Sequence, residues 1–592
     1  MPAAEEDQGA LSSQAVATRF PLWRRRVVFG AVNCASVLAM TWLLFAILSP
    51  NAAGVVSALM IAAFAVNGIW VSLVFWNAAI GFCLLRLSRR PTLRNWAELE
   101  RVSPAAHPTK RTAIAMTVRN ERAGEFLARL KAVKKSLDAT HSATAFDYFI
   151  LSDSSEPTAI ADERRSYAAW CAEEPEIATR VTYRLRDSNW GYKPGNVRDF
   201  CKRWGANYEF LVLLDADSLM TGETIARMVG AMERFPQVGI LQSLVVGILH
   251  PSLFARVHEF GHRHIARCVI AGSTWWQGDR CQFWGHNAVI RIAPFARYCE
   301  MPEIPGRGPF GGHILCHDQI EASFMHRAGF EVRAWPEEVG SYEGNPPTAI
   351  DYCQRNNRWC RGNFQNLVVA FAPGLALIDR FHLTVVAQRF IAYPAQLLFI
   401  LLAALEAAAW PAGRPFRASM ALVLYLAWAF MVFAPRFVGV ADALIREPER
   451  YGGRARLLAG AGVEFVTSFV LISISIVATS TFMAGLMRTG GAVWKAQRRD
   501  GRRVPWRAAA AALWPQALLG VAISALLGYA NPAALVWFSP FLAGLVLAIP
   551  YCVFTASPAV STVADRLGIC ATPEEIATPR EVAEVAHAVS AG

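Results

Sequence analysis

The feature of this 592-residue chain that most constrains its fold is a set of apolar runs long enough to span a membrane. The hydrocarbon core of a bilayer is about 30 Å thick and needs about 20 apolar residues in a helix. Six runs approach or exceed that length, at residues 27–48, 54–85, 385–410, 419–441, 513–529 and 533–554. The sequence therefore predicts a multi-pass membrane protein with six crossings arranged as helical hairpins.

Basic residues flank the first hairpin and indicate its orientation. Three arginines at 24–26 precede the first run, and arginines at 86, 89 and 90 follow the second. Because loops rich in Lys and Arg stay in the cytoplasm, both ends of this hairpin are predicted to be cytoplasmic. The first run is too long for a cleaved signal peptide. Membrane flanks also explain the net charge of +12, so no nucleic-acid partner is expected.

A further apolar run, at 457–486, is ambiguous. If it crossed the membrane once, the very basic segment 494–507 that follows would lie outside the cell. The charge rule therefore favours an interfacial or re-entrant segment that returns the chain to the cytoplasm. Seven or eight crossings remain the alternatives, if this run crosses once or twice.

These features divide the chain into seven predicted segments. They are a cytoplasmic N-terminal tail (1–26), a transmembrane hairpin (27–90), a cytoplasmic catalytic domain (91–380), a second hairpin (381–441), an interfacial or re-entrant segment with a basic cytoplasmic loop (442–511), a third hairpin (512–556) and a cytoplasmic C-terminal tail (557–592).

The long block between the first two hairpins contains short apolar runs that end in polar residues. "TAIAMTV" is followed by Asn120 and Glu121, "FDYFILS" by Asp153, and "EFLVLL" by Asp215 and Asp217. Helical stretches lie between these runs, and strands that alternate with helices predict a mostly parallel sheet. Since ligands bind beyond the carboxyl ends of such strands, the polar groups are expected to line a site.

Asp215 and Asp217 form a D-x-D pair at one of these strand ends. Carboxylate oxygens are hard ligands that hold Mg²⁺ or Mn²⁺, which in turn bridges phosphates. The pair therefore points to a nucleotide diphosphate donor, although a turn with two solvated aspartates is the simpler alternative. Alternate residues of an extended strand face opposite ways, so the two carboxylates are expected to have different roles.

An ordered series of motifs resembles the processive family-2 glycosyltransferases, membrane-embedded GT-A enzymes such as the cellulose and hyaluronan synthases. The motifs are "TVRNE", "LSDSS", "YKPGN", "LLDADS", "GHNAVIR", "HDQIEAS" and "RNNRWCRGN", spread over about residues 86–507. The residues of these motifs most resemble those of the synthases that make the β-1,2-linked backbone of osmoregulated periplasmic glucans. The resemblance implies an α/β GT-A (nucleotide-diphospho-sugar transferase) domain inserted in an all-α transmembrane bundle.

The resemblance also implies an activity and a location. The protein would be a processive, inverting glucosyltransferase of the bacterial inner membrane that polymerises glucose from UDP-glucose into a β-glucan and exports it. Other processive synthases, for cellulose, another β-glucan or an amino-sugar polymer, are the alternatives within the family. The implied partners are Mg²⁺ or Mn²⁺, UDP-glucose, the growing glucan, membrane lipids, acyl carrier protein and periplasmic glucan-modifying proteins.

The same resemblance implies roles for individual residues. Asn120, Glu121 and Asp153 would contact uridine, and Lys193, Gly195 and Asn196 would form the loop that contacts the donor. Asp215 would contact the donor and the metal, Asp217 would bind the metal, and Arg358 would bind pyrophosphate. Asp318 would be the general base, and the acceptor would contact Trp284, Gly285, His286 and Trp359. Trp494, Gln497 and Arg498 of the basic segment would close over UDP, or simply flank the membrane.

Some positions depart from the family pattern or have simpler structural explanations. His317 replaces the residue expected before the base and receives no role, and Arg355 departs from the Q-Q/R-x-R-W motif. An Asx-turn would explain Asp153, and an N-cap would explain Asp318. Packing is an equal alternative for Trp284.

A literal H-E-x-x-H, at His258, Glu259 and His262, raises a rival function. On a helix this pattern can bind zinc and supply a base, as in metalloproteases. Gly261 within it is a poor helix former. The twelve cysteines contain no C-x-x-C pair, which argues against a zinc ribbon. A transporter without catalytic activity is a third possibility, although transporters usually lack so large a central soluble block.

Overall fold

The computed structural model describes residues 21–49, 54–87, 108–306, 308–411, 416–489 and 501–591. An α/β domain built from residues 108–369 lies between groups of long apolar helices, as the sequence predicts. The basic-segment residues Trp494, Gln497 and Arg498 lie outside the described part of the chain.

The α/β domain contains one large sheet and two small ones. Its strands are β1 (Thr112–Val118), β2 (Phe146–Ser152), β3 (Val181–Leu185), β4 (Phe210–Asp215), β5 (Leu219–Met220), β6 (Val238–Ser243), β7 (Val246–Ile248), β8 (Ala288–Arg291), β9 (Glu303–Ile304), β10 (Gly312–His313), β11 (Glu331–Trp335) and β12 (Ser341–Gly344). The seven-stranded sheet has the order β11-β6-β8-β4-β1-β2-β3, and the small sheets have the orders β5-β12-β7 and β10-β9. Within the large sheet only β8 runs antiparallel to its neighbours, β4 and β6.

Side chains of the central strands alternate between two buried cores, one on each face of the large sheet. In β1, Ile114 and Met116 belong to one core, whereas Ala113 and Ala115 belong to the other. Such burial on both faces is typical of a largely parallel sheet covered by helices. The carboxyl ends of β1, β2 and β4 therefore meet at one edge, and the polar residues that follow them lie there.

Helices cover both faces of the sheet and connect its strands. Two helices of the first hairpin, α1 (Leu22–Leu48) and α2 (Val55–Leu87), precede them in the chain. The helices of the domain are α3 (Ala123–Asp138), α4 (Pro157–Glu173), α5 (Ile177–Arg180), α6 (Tyr192–Trp204), α7 (Gly222–Arg234), α8 (Leu253–Gln277), α9 (Ile292–Tyr298), α10 (Asp318–Arg327) and α11 (Ala349–Val369). Helix α8 packs along the membrane hairpin, and α11 lies beneath the acceptor-side motifs.

The apolar helices flank this domain in sequence. They are α1 (Leu22–Leu48), α2 (Val55–Leu87), α12 (Leu377–Ala408), α13 (Ala418–Arg446), α14 (Arg454–Thr489), α15 (Trp506–Ala530), α16 (Leu535–Val546) and α17 (Ala548–Thr555). Among the described residues, six helices are long and apolar enough to cross a membrane, or seven if the pair α16 and α17, bent by 48°, is one span. The chain is therefore a multi-pass membrane protein.

Helix α14 covers the run for which the sequence predicts an interfacial or re-entrant segment. It is one continuous α-helix of 36 residues without a break, so the chain does not reverse direction there and no re-entrant hairpin is formed. Leu457 near its start packs against Val257 and Phe260 of α8. Leu486 near its end packs in a cluster with Cys360 of α11. Both ends of α14 thus contact helices of the α/β domain.

The C-terminal segment, predicted as a tail, is folded against the α/β domain. It forms α18 (Pro558–Leu567), α19 (Pro573–Ile576) and α20 (Arg580–Ala591). Val582 and Val585 of α20 enter the core beside α3, and Glu581 accepts a hydrogen bond from Ser136 of α3 at 2.5 Å. Arg263 of α8, which is almost fully buried, pairs with Glu574 of α19. The last helices therefore pack against two helices of the α/β domain, α3 and α8.

A close helix crossing joins the membrane hairpin to the α/β domain. Gly81 of α2 faces Gly272 of α8, and a Cβ on Gly272 would overlap the carbonyl oxygen of Asn77 and lie 2.8 Å from the nitrogen of Gly81. Beside the crossing, Trp276 Nε1 donates to Asn77 Oδ1 at 2.9 Å. The two backbones approach each other because neither carries a side chain at the contact.

Candidate active site

One large cleft, with a volume of about 2110 Å³, opens beyond the carboxyl ends of the strands and extends toward the apolar helices. It brings together nearly all of the residues that the sequence marks as functional. Those that line it are Asn120, Glu121, Asp153, Lys193, Asn196, Asp215, Asp217, Trp284, Gly285, His286, Asp318, Arg358 and Trp359. Gly195 instead lines a separate cavity of about 380 Å³ behind the donor loop.

Asp215 ends β4 and is held by three neighbouring groups. The ammonium of Lys193 forms an ion pair with it, and Thr117 Oγ1 donates to its Oδ1 at 3.2 Å. Its backbone N–H donates to Ser218 Oγ at 3.0 Å. Lys193 also donates to the carbonyl of Gly285 at 2.8 Å, so one cation links the D-x-D strand end to the acceptor-side loop.

Asp217 lies beside a third carboxylate, Glu343 of β12, which the sequence analysis missed. The backbone of Gly344 packs against Asp217, and His286 Nε2 lies 3.4 Å from Glu343 Oε2. The other ring nitrogen of His286 lies 3.3 Å from Ser218 Oγ. Burial raises the pKa of Glu343, and the nearby charge of Asp217 acts in the same direction. The wall opposite Asp318 is therefore rich in acidic groups.

The predicted uridine-side residues are already engaged with protein groups. Asn120 has a positive φ of 54°, and its Oδ1 accepts hydrogen bonds from the N–H groups of Ser155 and Glu156 at 2.9 and 3.0 Å. Both oxygens of Asp153 accept from Arg186, each at 2.6 Å. These contacts fix the loops that follow β1 and β2. A carboxylate has about four acceptor sites, so Asp153 can still accept from a ligand.

The donor loop before and within α6 is organised by close backbone contacts. A Cβ at Gly195 would overlap the carbonyl oxygen of Trp190, so this glycine permits the loop to close on itself. Asn196 is buried, donates to the carbonyl of Leu151 at 3.0 Å and accepts from Arg184 at 2.6 Å. Lys193 is thus the member of this motif whose charged group reaches the donor side of the cleft.

The predicted base, Asp318, is the first residue of α10 and lies in the cleft. Desolvation raises the pKa of its carboxyl group, and the neighbouring His317 lowers it in part. Gly285, with φ of 85°, packs onto its Cβ. The N-cap interpretation is wrong, because His317 takes the N-cap position without a side-chain cap hydrogen bond and Asp318 is the first helical residue, which faces the site.

Helix α11 supplies the far wall of the cleft. Trp359 is 37% exposed, and the guanidinium of Arg355 lies 4.7 Å from its ring centroid. Arg355 itself lines the cleft, although it departs from the family motif. The cleft continues between the apolar helices, where it is lined by Trp70 of α2 and Arg389 of α12, with the guanidinium 5.5 Å from the ring centroid. At its rim it reaches Val589 of α20.

The H-E-x-x-H motif lies on α8 and is helical in spite of Gly261. The rings of His258 and His262 stack at 6.0 Å, but Glu259 points elsewhere and accepts from Asn345 Nδ2 at 2.7 Å. Gly261 marks the place where α14 crosses, because a Cβ there would lie 2.7 Å from Glu464 Cγ. The motif supports the strand that carries Glu343 and does not form a zinc-protease site.

Within the described residues, no group of three or more His, Cys, Asp or Glu side chains is arranged to hold a metal ion. The two aspartates of the D-x-D motif are the oxygen ligands that reach the cleft beside Lys193. One or two protein carboxylates suit Mg²⁺, which keeps waters and takes further oxygens from substrate phosphates. The residues present therefore fit a cation that binds together with a nucleotide.

Comparison with known proteins agrees with these observations. Residues 113–299 match the model of glycosyl transferase family 2, and residues 210–434 match that of glycosyl transferase family group 2. A glucans biosynthesis glucosyltransferase H of Caulobacter vibrioides is 36% identical over 536 residues, which cover 86% of this chain and 79% of that protein. One of Rhodopseudomonas palustris is 33% identical over 608 residues, covering 98% and 81%.

A solved structure is also similar. It is a mannosyltransferase from Pyrobaculum calidifontis in complex with GDP-Man and Mn²⁺, with 16% sequence identity, a TM-score of 0.40 and coverage of 62% of this chain and 98% of that one.

Proposed function

The chain belongs to the family of the glucans biosynthesis glucosyltransferases H, and on that premise we propose that it polymerises glucose from UDP-glucose into a β-glucan. The family makes it a glycosyltransferase. The choice of UDP-glucose as donor, a β-1,2 linkage, processive synthesis and export are the finer parts of this proposal.

One observation carries the proposal most directly. A single cleft is lined by the D-x-D carboxylates and Lys193, by Asp318 at a helix start, and by the exposed ring of Trp359, to which the motifs assign acceptor contacts. Inverting transfer needs a carboxylate to accept the proton of the acceptor hydroxyl while its oxygen attacks the anomeric carbon. UDP leaves from the opposite face, so an α-linked donor gives a β-linked product.

The donor wall supplies charge for the departing diphosphate. Lys193 and Arg358 are the cations that the motifs assign to phosphate, and both line the cleft. Asp217, with Asp215, would hold Mg²⁺ or Mn²⁺, and a divalent ion there neutralises the charge that develops on the leaving group. The ring of Trp359 offers a flat face on which an acceptor sugar can stack.

The product path and the topology complete the proposal. The cleft continues between α2 and α12, which gives the growing glucan a route into the bundle. Because both ends of α14 contact the α/β domain, we place α14 along the membrane surface. The six crossings are then α1, α2, α12, α13, α15 and the bent pair α16 and α17. The arginines at 24–26, in the first turns of α1, then support a catalytic domain in the cytoplasm of a bacterial inner membrane. Acyl carrier protein and periplasmic glucan-modifying proteins remain predicted partners.

The test uses the purified full-length protein with UDP-glucose and Mg²⁺. We expect release of UDP and a polymer whose linkage analysis shows β-1,2 bonds. Another linkage would identify a different processive synthase, and no turnover of UDP-glucose would refute the proposed donor.

Asp318→Asn should bind UDP with wild-type affinity, because Asp318 does not hold the nucleotide, but should make no polymer, because no base accepts the proton. The matched control is Asp162→Asn on α4, an aspartate that does not line the cleft and whose change should leave synthesis intact. Polymer formation by Asp318→Asn would remove the base assignment.

A further inference from the structure

The residue before the proposed base is held in a buried ion pair. His317 Nδ1 lies 2.7 Å from Glu321 Oε2, one helical turn further along α10. His317 is 6% exposed and Glu321 is 2% exposed. Neither residue was given a role by the sequence motifs. A buried carboxylate is costly unless it is paired, so the contact favours a protonated imidazole.

The imidazole is fixed on its other side by the acceptor-side loop. A Cβ on Gly285 would lie 3.4 Å from Asp318 Cβ and 3.7 Å from His317 Cε1, so the Gly285 backbone packs onto both residues. The carbonyl of Gly285 accepts from Lys193, which pairs with Asp215. The His317–Glu321 pair therefore sits beneath the base and beside the loop that links it to the donor wall.

The charged groups that face His317 are Glu321 and Asp318 from its own helix and Lys193 from α6. Burial opposes the imidazolium, but the Glu321 carboxylate outweighs it, so the pKa of His317 lies above its ordinary value. For Asp318, desolvation raises the pKa, the charge of His317 lowers it, and the charge of Glu321 raises it. The cation between the two carboxylates is thus what favours an ionised base.

We propose that His317, held by Glu321, is a positioning residue that keeps Asp318 ionised and oriented for proton abstraction. This rests on the proposed function, since it concerns the base of that reaction. His317 touches neither donor nor acceptor in this account. It acts only through the carboxylate that follows it in the chain.

The experiment is the pH dependence of kcat/KM for UDP-glucose, whose acid limb reports ionisation of the essential base in the free enzyme. In His317→Gln the cation beside Asp318 is lost, so the acid limb should move to higher pH. A structural defect alone would lower the rate without this shift.

The control variant is Ser323→Ala on the same helix, whose hydroxyl donates to the carbonyl of Gln319 at 2.9 Å and which should leave the acid limb in place. UDP binding measures folding of each variant, and His317→Asn replaces His317→Gln if the latter does not bind UDP. An unshifted limb in a UDP-binding His317 variant would overturn the proposal. Absence of UDP-glucose turnover in the wild type would instead refute the proposed function.

Discussion

Replacing Gly272 with alanine should damage the joint between the membrane hairpin and the α/β domain. In an ordinary helix interior, alanine is favoured over glycine by about 1 kcal/mol. At Gly272 the new Cβ would overlap the carbonyl oxygen of Asn77 and lie 2.8 Å from the nitrogen of Gly81. Both obstacles are backbone atoms of α2, so no side-chain rotation can relieve the contact.

The cost follows from the displacement that the helices would need. Ordinary van der Waals contact begins at 3.4 Å, so α2 and α8 must separate by at least 0.6 Å at the Gly81 nitrogen alone, and further at the Asn77 carbonyl. That movement also strains the hydrogen bond between Trp276 and Asn77. Overpacking of this kind costs about 1–3 kcal/mol, which outweighs the gain in helix propensity.

The assay is thermal unfolding of the purified protein in detergent, with Gly30→Ala as the matched control. Gly30 lies in α1 and has no heavy atom within 4 Å of a built Cβ, so its replacement should leave the melting temperature unchanged or raise it. Gly272→Ala should lower it by several degrees. Equal melting temperatures for the two variants would show that the helices do not meet at this crossing.

The remaining predictions concern the C-terminal segment, an acid-sensitive ion pair and the metal. Arg263→Met should expose residues after 557 to protease, because breaking a buried ion pair costs about 3–5 kcal/mol; Arg580→Met, in a largely exposed pair, is the control and should resist. Arg263 also pairs with Glu338, at 2.7 Å. Burial acts to raise the pKa of Glu338, but the charge of Arg263 outweighs burial and holds that pKa at about 2. The stabilising contribution of this carboxylate is therefore present at neutral pH and is lost as the pH falls from 4.5 toward 2. Acid unfolding of Arg263→Met should lack that component, and an identical acid titration would contradict this. Chelation of the divalent metal should stop UDP-glucose turnover. The Asp217→Asn variant should need roughly tenfold or more Mg²⁺ to reach its half-maximal rate. An unchanged Mg²⁺ dependence in this variant would remove the metal role of Asp217.

Part of the cleft was predictable because three of its polar clusters directly follow apolar strands. Asn120, Asp153 and Asp215 all lie at the edge where β1, β2 and β4 end, as the run boundaries indicated. Parallel strands place their carboxyl ends together whatever the rest of the fold does. Asp318 and Trp359 were found only through the resemblance, since neither follows a strand of the large sheet.

Other parts left no local signal. Glu343 lies on a strand of four residues, too short to show a pattern, and reaches Asp217 only through the small three-stranded sheet. Gly261 argued against a helix on propensity, yet α8 is helical there, and the glycine makes room for Glu464 of α14 at the crossing. Packing between distant segments decided both cases, and intrinsic propensity is a weak guide when it does.

The α/β domain is fastened at three separated places. Arg26 near the start of α1 donates to the carbonyl of Gln277 and pairs with Asp279, the glycine crossing joins α2 to α8, and α20 closes over α3. An α/β domain held at three places has little freedom to tilt relative to the membrane helices. In the proposed processive synthesis, the sugar chain would therefore have to advance past a catalytic domain that stays in place.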